Sequence, residues 1–198
     1  QNWELIFWDN QSTDRSADIC KGYGDDRIKY FRAEQHTNLG GARALALRQV
    51  TGELVAVLDT DDLWMPRKLE MQVPRFSDPD VGIVISDTIF FADNGKSRQL
   101  FRRGLTPQGR IFQQLLTNYF VSLETVVMRR AAIESLNHAF DPGFSHISDF
   151  DLIVRISKNW KLVCVEEVLA KWRVHQNSGT WAEPDCFYKE KLAFIQKM

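Results

Sequence analysis

Cysteine is scarce. The three present, Cys20, Cys164 and Cys186, are odd in number and far apart. They fit neither a disulfide framework nor a zinc-ligand spacing, so a reducing, cytoplasmic setting is expected, with the thiols acting as small buried hydrophobes and one or two of them near the surface. Long apolar runs are missing too: the longest are strand-sized, well short of the roughly 20 residues that span a bilayer, and no stretch has a signal-peptide pattern. Net charge is nearly absent, with 25 basic against 26 acidic residues giving -1. Such a balance provides no long-range field for collecting nucleic acid or an anionic membrane, so a charged partner must be held by local clusters. No repeat, low-complexity tract or linker breaks the chain. What is plentiful is core-forming material: 44% hydrophobic and 12% aromatic residues over 198 positions. That excludes disorder and suits one domain over 1–198.

Strand and helix signals alternate along the first half. Leu5 to Trp8 is a short apolar run ending in Asp9-Asn10-Gln11-Ser12-Thr13-Asp14. It reads as a buried strand, followed by a helix through about Lys21 that Ser12, Thr13 or Asp14 would cap. Arg27 to Arg32 resembles a second strand. The glycine-rich turn Asn38-Leu39-Gly40-Gly41 leads into Ala42–Val50, rich in strong helix formers. Glu53 to Leu58 is an apolar β run before Asp59-Thr60-Asp61-Asp62, and Pro66 opens another helix. Strands are expected at Val81–Ser86, Thr125–Met128 and Leu162–Val165, with a hairpin turn at Asp93-Asn94-Gly95-Lys96. Helices are expected at about Pro107–Thr117, from Ser148, and near Pro184–Gln196. This alternation predicts an α/β fold of Rossmann-like βαβ units, with a mostly parallel sheet flanked by helices. Ligands in such sheets collect at the carboxyl ends of strands, where Asp9-Asn10 and Asp59–Asp62 both fall. The apolar pattern begins at once after Gln1-Asn2 without an initiating Met, and elements ahead of Trp3 are expected to be missing.

Asp59, Asp61 and Asp62 place three acids in four residues directly behind an apolar strand. Packing them together costs repulsion and desolvation unless a cation is present. Oxygen ligands in a loop suit Mn²⁺ or Mg²⁺, which complete their shells with water and substrate phosphates. The bland alternative is a solvated turn or helix cap, where Asp is common. A calcium loop is rejected, because Trp64 stands where it needs Gly, Leu63 replaces a ligand and Pro66 interrupts.

Four runs in order resemble family 2 glycosyltransferases of the GT-A fold. These are Asp9-Asn10-Gln11-Ser12-Thr13-Asp14, Asn38-Leu39-Gly40-Gly41-Ala42-Arg43, Asp59-Thr60-Asp61-Asp62 and Ser148-Asp149. They parallel the family's Asp-Asp-Gly-Ser-Thr-Asp, Asn-x-Gly…Ala-Arg, Asp-x-Asp-Asp and Glu-Asp motifs. The resemblance implies an inverting enzyme moving a sugar from a nucleotide-sugar donor, expected to be a UDP-sugar, to a hydroxyl of a glycan, lipid-linked or protein acceptor. Asp9 would face the donor base and Asp59 the ribose. Asp61 would bind the metal bridging the diphosphate, with Asp62 in support. Arg43 would hold phosphate or remain an unpaired helix arginine, and Asn38 and Gly40 would form the turn and approach the donor. Asp149 would be the acceptor's general base, the alternative being a helix-terminal acid stabilised by the dipole. Trp172-Arg173-Val174-His175 resembles the late Tyr-Arg-x-His run, with Arg173 at the leaving group and His175 at the metal or diphosphate, or else structural.

The chain departs from the family in two places. Ser148 replaces the usual Glu, which affects local hydrogen bonding and acceptor preference. The first strand, with its Pro-x-Tyr-Asn-like run, is not supplied before Gln1. The resemblance divides the domain into a nucleotide-binding half, about 1–87, and an acceptor half, about 88–198. Peripheral attachment at the inner face of the membrane would fit such an enzyme. Two other readings are a sugar-1-phosphate nucleotidyltransferase, whose glycine-rich basic loop the first strand end does not offer, and a non-catalytic nucleotide- or glycan-binding module.

Overall fold

The computed structural model describes residues 2–101, 106–175 and 183–197. Strands β1 (Leu5–Asp9) and β2 (Ile28–Arg32) pair in parallel around helix α1 (Ser16–Gly22) and form a small sheet of their own. Arg15, the residue before α1, provides no side-chain cap, and the Asp14 carboxylate accepts from the Ser16 N–H at 2.9 Å. Next come α2 (Leu39–Leu47), β3 (Leu54–Ala56), β4 (Leu63–Trp64) and α3 (Lys68–Gln72). The chain continues through a 3₁₀ turn at Val73–Ser77 into β5 (Val81–Phe91) and β6 (Ser97–Gln99). The remainder is α4 (Phe112–Thr117), β7 (Val127–Arg129), α5 (Arg130–Glu134), α6 (Ser148–Ser157), β8 (Lys161–Arg173) and α7 (Pro184–Lys197).

The larger sheet has six strands, ordered β3-β7-β5-β8-β4, with β6 paired to the outer half of β5. The α/β class is as expected, but the sheet is mixed and not mostly parallel. Among the described residues, parallel pairing is confined to β1–β2 and β5–β8, whereas β3–β7, β5–β7, β5–β6 and β4–β8 are antiparallel. After β5 the chain re-enters the sheet from the end it has just left, first through the tight Asp93–Lys96 turn, and a strand entered that way must run back.

β5 is buried on both faces from Val81 to Thr88. Ile83 and Ile85 pack in one core with Leu115 of α4 and Leu152, Ile153 and Ile156 of α6. Val84 points to the opposite side, with Phe76, Val127, Val165 and Leu169. Burying each such side chain stabilises the fold by about 1.5–3 kcal/mol, so the long hydrophobic strand forms the sheet's axis.

The two sheets are tied together by one acid. Glu4 accepts from the Thr51 N–H at 2.6 Å, the Thr51 hydroxyl at 2.7 Å and the Gly52 N–H at 3.1 Å, and from Lys29 Nζ at 2.7 Å. Lys29 and then Thr51 hold its carboxyl down at about 2. A depressed folded-state value means the stabilisation is present above the ordinary range and is lost as pH falls through it. Glu4→Gln is therefore expected to cost about 1 kcal/mol near neutral pH. It should also remove the part of the acid destabilisation that lies between about pH 4.5 and 2. Denaturant titrations at several pH values test this, and parallel pH profiles for the two proteins would contradict it.

Candidate functional site

The short β3 delivers its chain into a turn closed by the Asp62 N–H donating to the Asp59 carbonyl at 3.1 Å. This acidic loop borders a cavity of about 460 Å³, which Arg43 of α2 and Asp149 of α6 also line. Five carboxylates, Asp59, Asp61, Asp62, Glu124 and Asp149, face it against one guanidinium. Without a counter-cation that arrangement is strongly self-repelling.

The end of β8 clamps the loop from 111 or more residues away in sequence. The Arg173 N–H donates to Asp62 Oδ1 at 2.9 Å, and Arg173 Nε donates to the Asp61 carbonyl at 3.1 Å. The Arg173 guanidinium also pairs with Asp93 and lies over the Phe91 ring. His175 Nε2 is 2.8 Å from Asp61 Oδ2. Asp62 is buried, and that burial pushes its carboxyl up to about 7, assisted by the charges of Glu124, Asp61 and Asp59 and opposed by the Arg173 N–H. Under the loop, Lys68 Nζ donates to Gln72 Oε1 at 2.6 Å and to the Thr125 carbonyl at 2.7 Å. Burial brings that ammonium down to about 7.

Arg43 joins the two halves of the site. Its Nη2 donates to both Asp59 oxygens at 2.9 Å, and its Nη1 donates to Ser148 Oγ at 3.0 Å. It is not an unpaired helix arginine. Asp149 follows Ser148 in the first turn of α6, and the Tyr119 hydroxyl donates to its Oδ2 at 3.4 Å. Burial raises the Asp149 carboxyl, while Arg43 works in the opposite direction. The loop entering α6 is held by Glu190 of α7, which accepts from the N–H groups of Ser145, His146 and Ile147 at 2.8–3.0 Å.

Five sequence candidates are absent from the cavity wall: Arg173 and His175, which contact the acidic loop instead, and Asp9, Asn38 and Gly40. Asp9 is 2% exposed, with one oxygen taken by the Tyr30 hydroxyl and the other by the Ser12 N–H. Hydrogen bonding to Tyr30, above all, lowers its pKa. Asn38 caps α2 by accepting from the Gly41 N–H at 2.9 Å and donates to the Pro142 carbonyl at 2.7 Å. Gly40 sits where a Cβ would lie 2.0 Å from the Phe144 carbonyl oxygen and 2.6 Å from that of Asp141. Its role is close packing of α2 on the 141–144 loop. Conversely, Tyr119, Glu124, Lys68 and Glu190 went unmarked in the sequence, since none sits in a motif and each acquires its meaning from distant partners. Gly40→Ala is expected to cost about 2 kcal/mol by overpacking against rigid backbone. Denaturation should show that loss. An unchanged stability combined with lost nucleotide affinity would instead make Gly40 a ligand contact.

Known proteins resemble this chain in sequence and in fold. The family described as Glycosyl transferase family 2 matches residues 1–136. The Escherichia coli UDP-Glc:alpha-D-GlcNAc-diphosphoundecaprenol beta-1,3-glucosyltransferase WfgD is 28% identical over 179 residues, covering 89% of this chain and 68% of that protein. The S. aureus TarS 1-349 structure in complex with UDP superposes with a TM-score of 0.69 at 18% identity, covering 94% of this chain and 53% of that one. The mannosyltransferase PcManGT of Pyrobaculum calidifontis, in complex with GDP-Man and Mn²⁺, gives a TM-score of 0.61 at 18% identity, over 88% of this chain and 49% of that one. At such identities the two structures speak for the fold alone, and this chain spans only about half of each. With the family matched over most of its length and the solved structures sharing its architecture, the chain belongs to glycosyl transferase family 2 and has the GT-A fold.

Proposed function

We propose that this domain transfers a sugar from a UDP-sugar to an acceptor hydroxyl with inversion, using Asp149 as general base and a divalent cation at Asp61 and His175. The observation that carries this reading is a single cavity holding the His175-paired Asp61 on one side and the half-buried Asp149 on another. Its volume of about 460 Å³ lies within the roughly 300–1,000 Å³ usual for small-ligand sites.

Oxygen and imidazole donors fit Mn²⁺ or Mg²⁺, and the surplus of carboxylates facing the cavity favours such an ion. When bound, the cation would neutralise charge building on the departing diphosphate. Asp62 has a different part, since its oxygen is engaged by the Arg173 N–H and fixes the loop. Asp59, oriented by Arg43 and 43% exposed in its side chain, is free on its outer side to accept from a ribose hydroxyl. Arg173 sets the loop backbone and contributes positive charge beside it. Asp9 shapes the turn after β1, on which the donor base would lie, by accepting from the Ser12 N–H.

Asp149 takes the acceptor O–H proton as that oxygen bonds to the anomeric carbon and the nucleoside diphosphate leaves with the bonding pair. Its raised pKa makes it a better proton acceptor than an exposed aspartate, while the Arg43 charge favours its ionised form. The name of WfgD describes a sugar acceptor on a diphosphoundecaprenol carrier. A lipid-linked glycan is the corresponding acceptor here, within polysaccharide biosynthesis and at a membrane surface. Among the described residues no helix is long and apolar enough to cross a membrane.

Two measurements test the assignment. UDP should bind in calorimetry with Mn²⁺ present, and EDTA or Asp61→Ala should abolish that binding; equal affinity without metal would remove the cation from the scheme. Asp149→Asn, nearly isosteric but unable to take the proton, should lower kcat by about 10²-fold or more with donor affinity unchanged. In the unaltered enzyme the acid limb of kcat/KM should lie above the ordinary aspartate range. Near-normal turnover of the Asn variant would leave Asp149 a helix-terminal acid only.

A further inference from the structure

A second cluster of metal-ligating groups lies apart from the acidic loop, where α7 begins. His146, Glu183 and Cys186 bring an imidazole nitrogen, a carboxylate oxygen and a thiol sulfur within 4.8 Å of one another. Glu183 and Cys186 are one helical turn apart, with the Cys186 N–H donating to the Glu183 carbonyl at 3.1 Å. His146 comes from the loop ahead of α6, and its Nε2 is 3.2 Å from Glu183 Oε2.

The other imidazole nitrogen is also accounted for. His146 Nδ1 is 3.4 Å from Glu190 Oε1, and the same carboxylate is fixed by the three backbone N–H groups of Ser145, His146 and Ile147. A carboxylate that accepts the Nδ1 proton leaves the Nε2 lone pair facing the Glu183 side of the cluster, the arrangement that orients metal-bound histidines. The edge of Phe187 against the ring, at 5.1 Å between centroids, further restricts its rotation.

We propose that His146 Nε2, the Glu183 carboxylate and the Cys186 thiolate form a Zn²⁺ site with a fourth, solvent-facing position. The donor set decides the ion: thiolate with imidazole selects zinc over the hard cations that suit the acidic loop. Bonds of about 2.0–2.3 Å in a tetrahedron bring ligand atoms to roughly 3.5 Å apart, so the present spread of up to 4.8 Å must contract on binding. Glu183 is 59% exposed in its side chain and is the ligand that moves. A bound ion would pin the start of α7 to the loop that enters α6 and so brace the cavity wall beside Asp149.

Titration of EDTA-treated protein with Co²⁺, followed by optical absorption, tests the site. One equivalent should give a thiolate-to-cobalt charge-transfer band and strong tetrahedral d–d absorption, both removed by competing Zn²⁺. Cys186→Ser should lose the charge-transfer band, and His146→Gln should weaken binding about 10-fold or more. Cys20→Ser, Cys164→Ser and Asp61→Ala should keep the band. Zn²⁺ should also raise the Tm of Asp61→Ala and leave that of the Asp61→Ala, Cys186→Ser double variant unmoved, with circular dichroism confirming that both are folded. The absence of a thiolate band, its survival in Cys186→Ser, or its loss in Asp61→Ala would each overturn the site. None of these outcomes depends on sugar transfer, so the zinc site and the transferase reading stand or fall separately.

Discussion

Like charges a few ångströms apart repel by about 1 kcal/mol in water and by several where solvent is excluded. Asp59, Asp61 and Asp62 are confined to one turn under that constraint, and each carboxylate receives a different partner. Asp59 takes the Arg43 fork, Asp61 meets His175, and Asp62 accepts the Arg173 N–H. The three partners come from α2 and from the end of β8, which reaches the loop only because β8 runs parallel to the whole of β5. The central strand pair, the edge pairing of β4 with β8 and the shape of the acidic turn are therefore mutually dependent.

The second half of the site is joined to the first by the same guanidinium. Arg43 contacts Asp59 and Ser148 together, so the acidic loop and the start of α6 are held in a common geometry. That contact requires α2 to lie close against the 141–144 loop, which the missing side chain of Gly40 permits and the Asn38–Pro142 bond secures. Ser148, which departs from the family's acidic residue, is thereby a hydrogen-bond acceptor for Arg43. A division near residue 87 does not interrupt the structure, since β5 continues from Val81 to Phe91 across it.

Beneath the loop the protein buries polar groups instead of hydrocarbon. Lys68 is 1% exposed and is satisfied by Gln72 and the Thr125 carbonyl, while Gln72 donates in turn to Thr125 and Val84 carbonyls. Glu124 lies beside this group, its carboxylate bonded by the Ser122 hydroxyl and raised in pKa by burial. Such a network resists deformation, because loss of any member leaves a buried polar atom unpartnered. It supports the turn on which the acidic residues are mounted.

Local signals were legible in the sequence because their causes are local. The apolar runs Leu5–Trp8 and Val81–Ser86 became β1 and part of β5, Pro184 opened α7, and the acids that follow β3 lie at the cavity. The order of four short motifs was enough to indicate the family. Extents were harder: a strand expected at Leu162–Val165 runs from Lys161 to Arg173, since Glu166, Glu167 and Lys171 break the apolar pattern without disturbing backbone pairing. By itself the sequence determined the α/β class, the acidic loop and the acid that opens α6, all set by residues adjacent in the chain. Only the tertiary structure decided that Asp9 is bonded to Tyr30 and Ser12, that Gly40 lies close against the 141–144 loop, that Arg43 is a bridge, that the sheet is mixed, and that Asp62 and Lys68 both shift to about 7. Hydrogen-bond partners and dielectric surroundings depend on which distant segments meet, and no stretch of sequence contains its own neighbours.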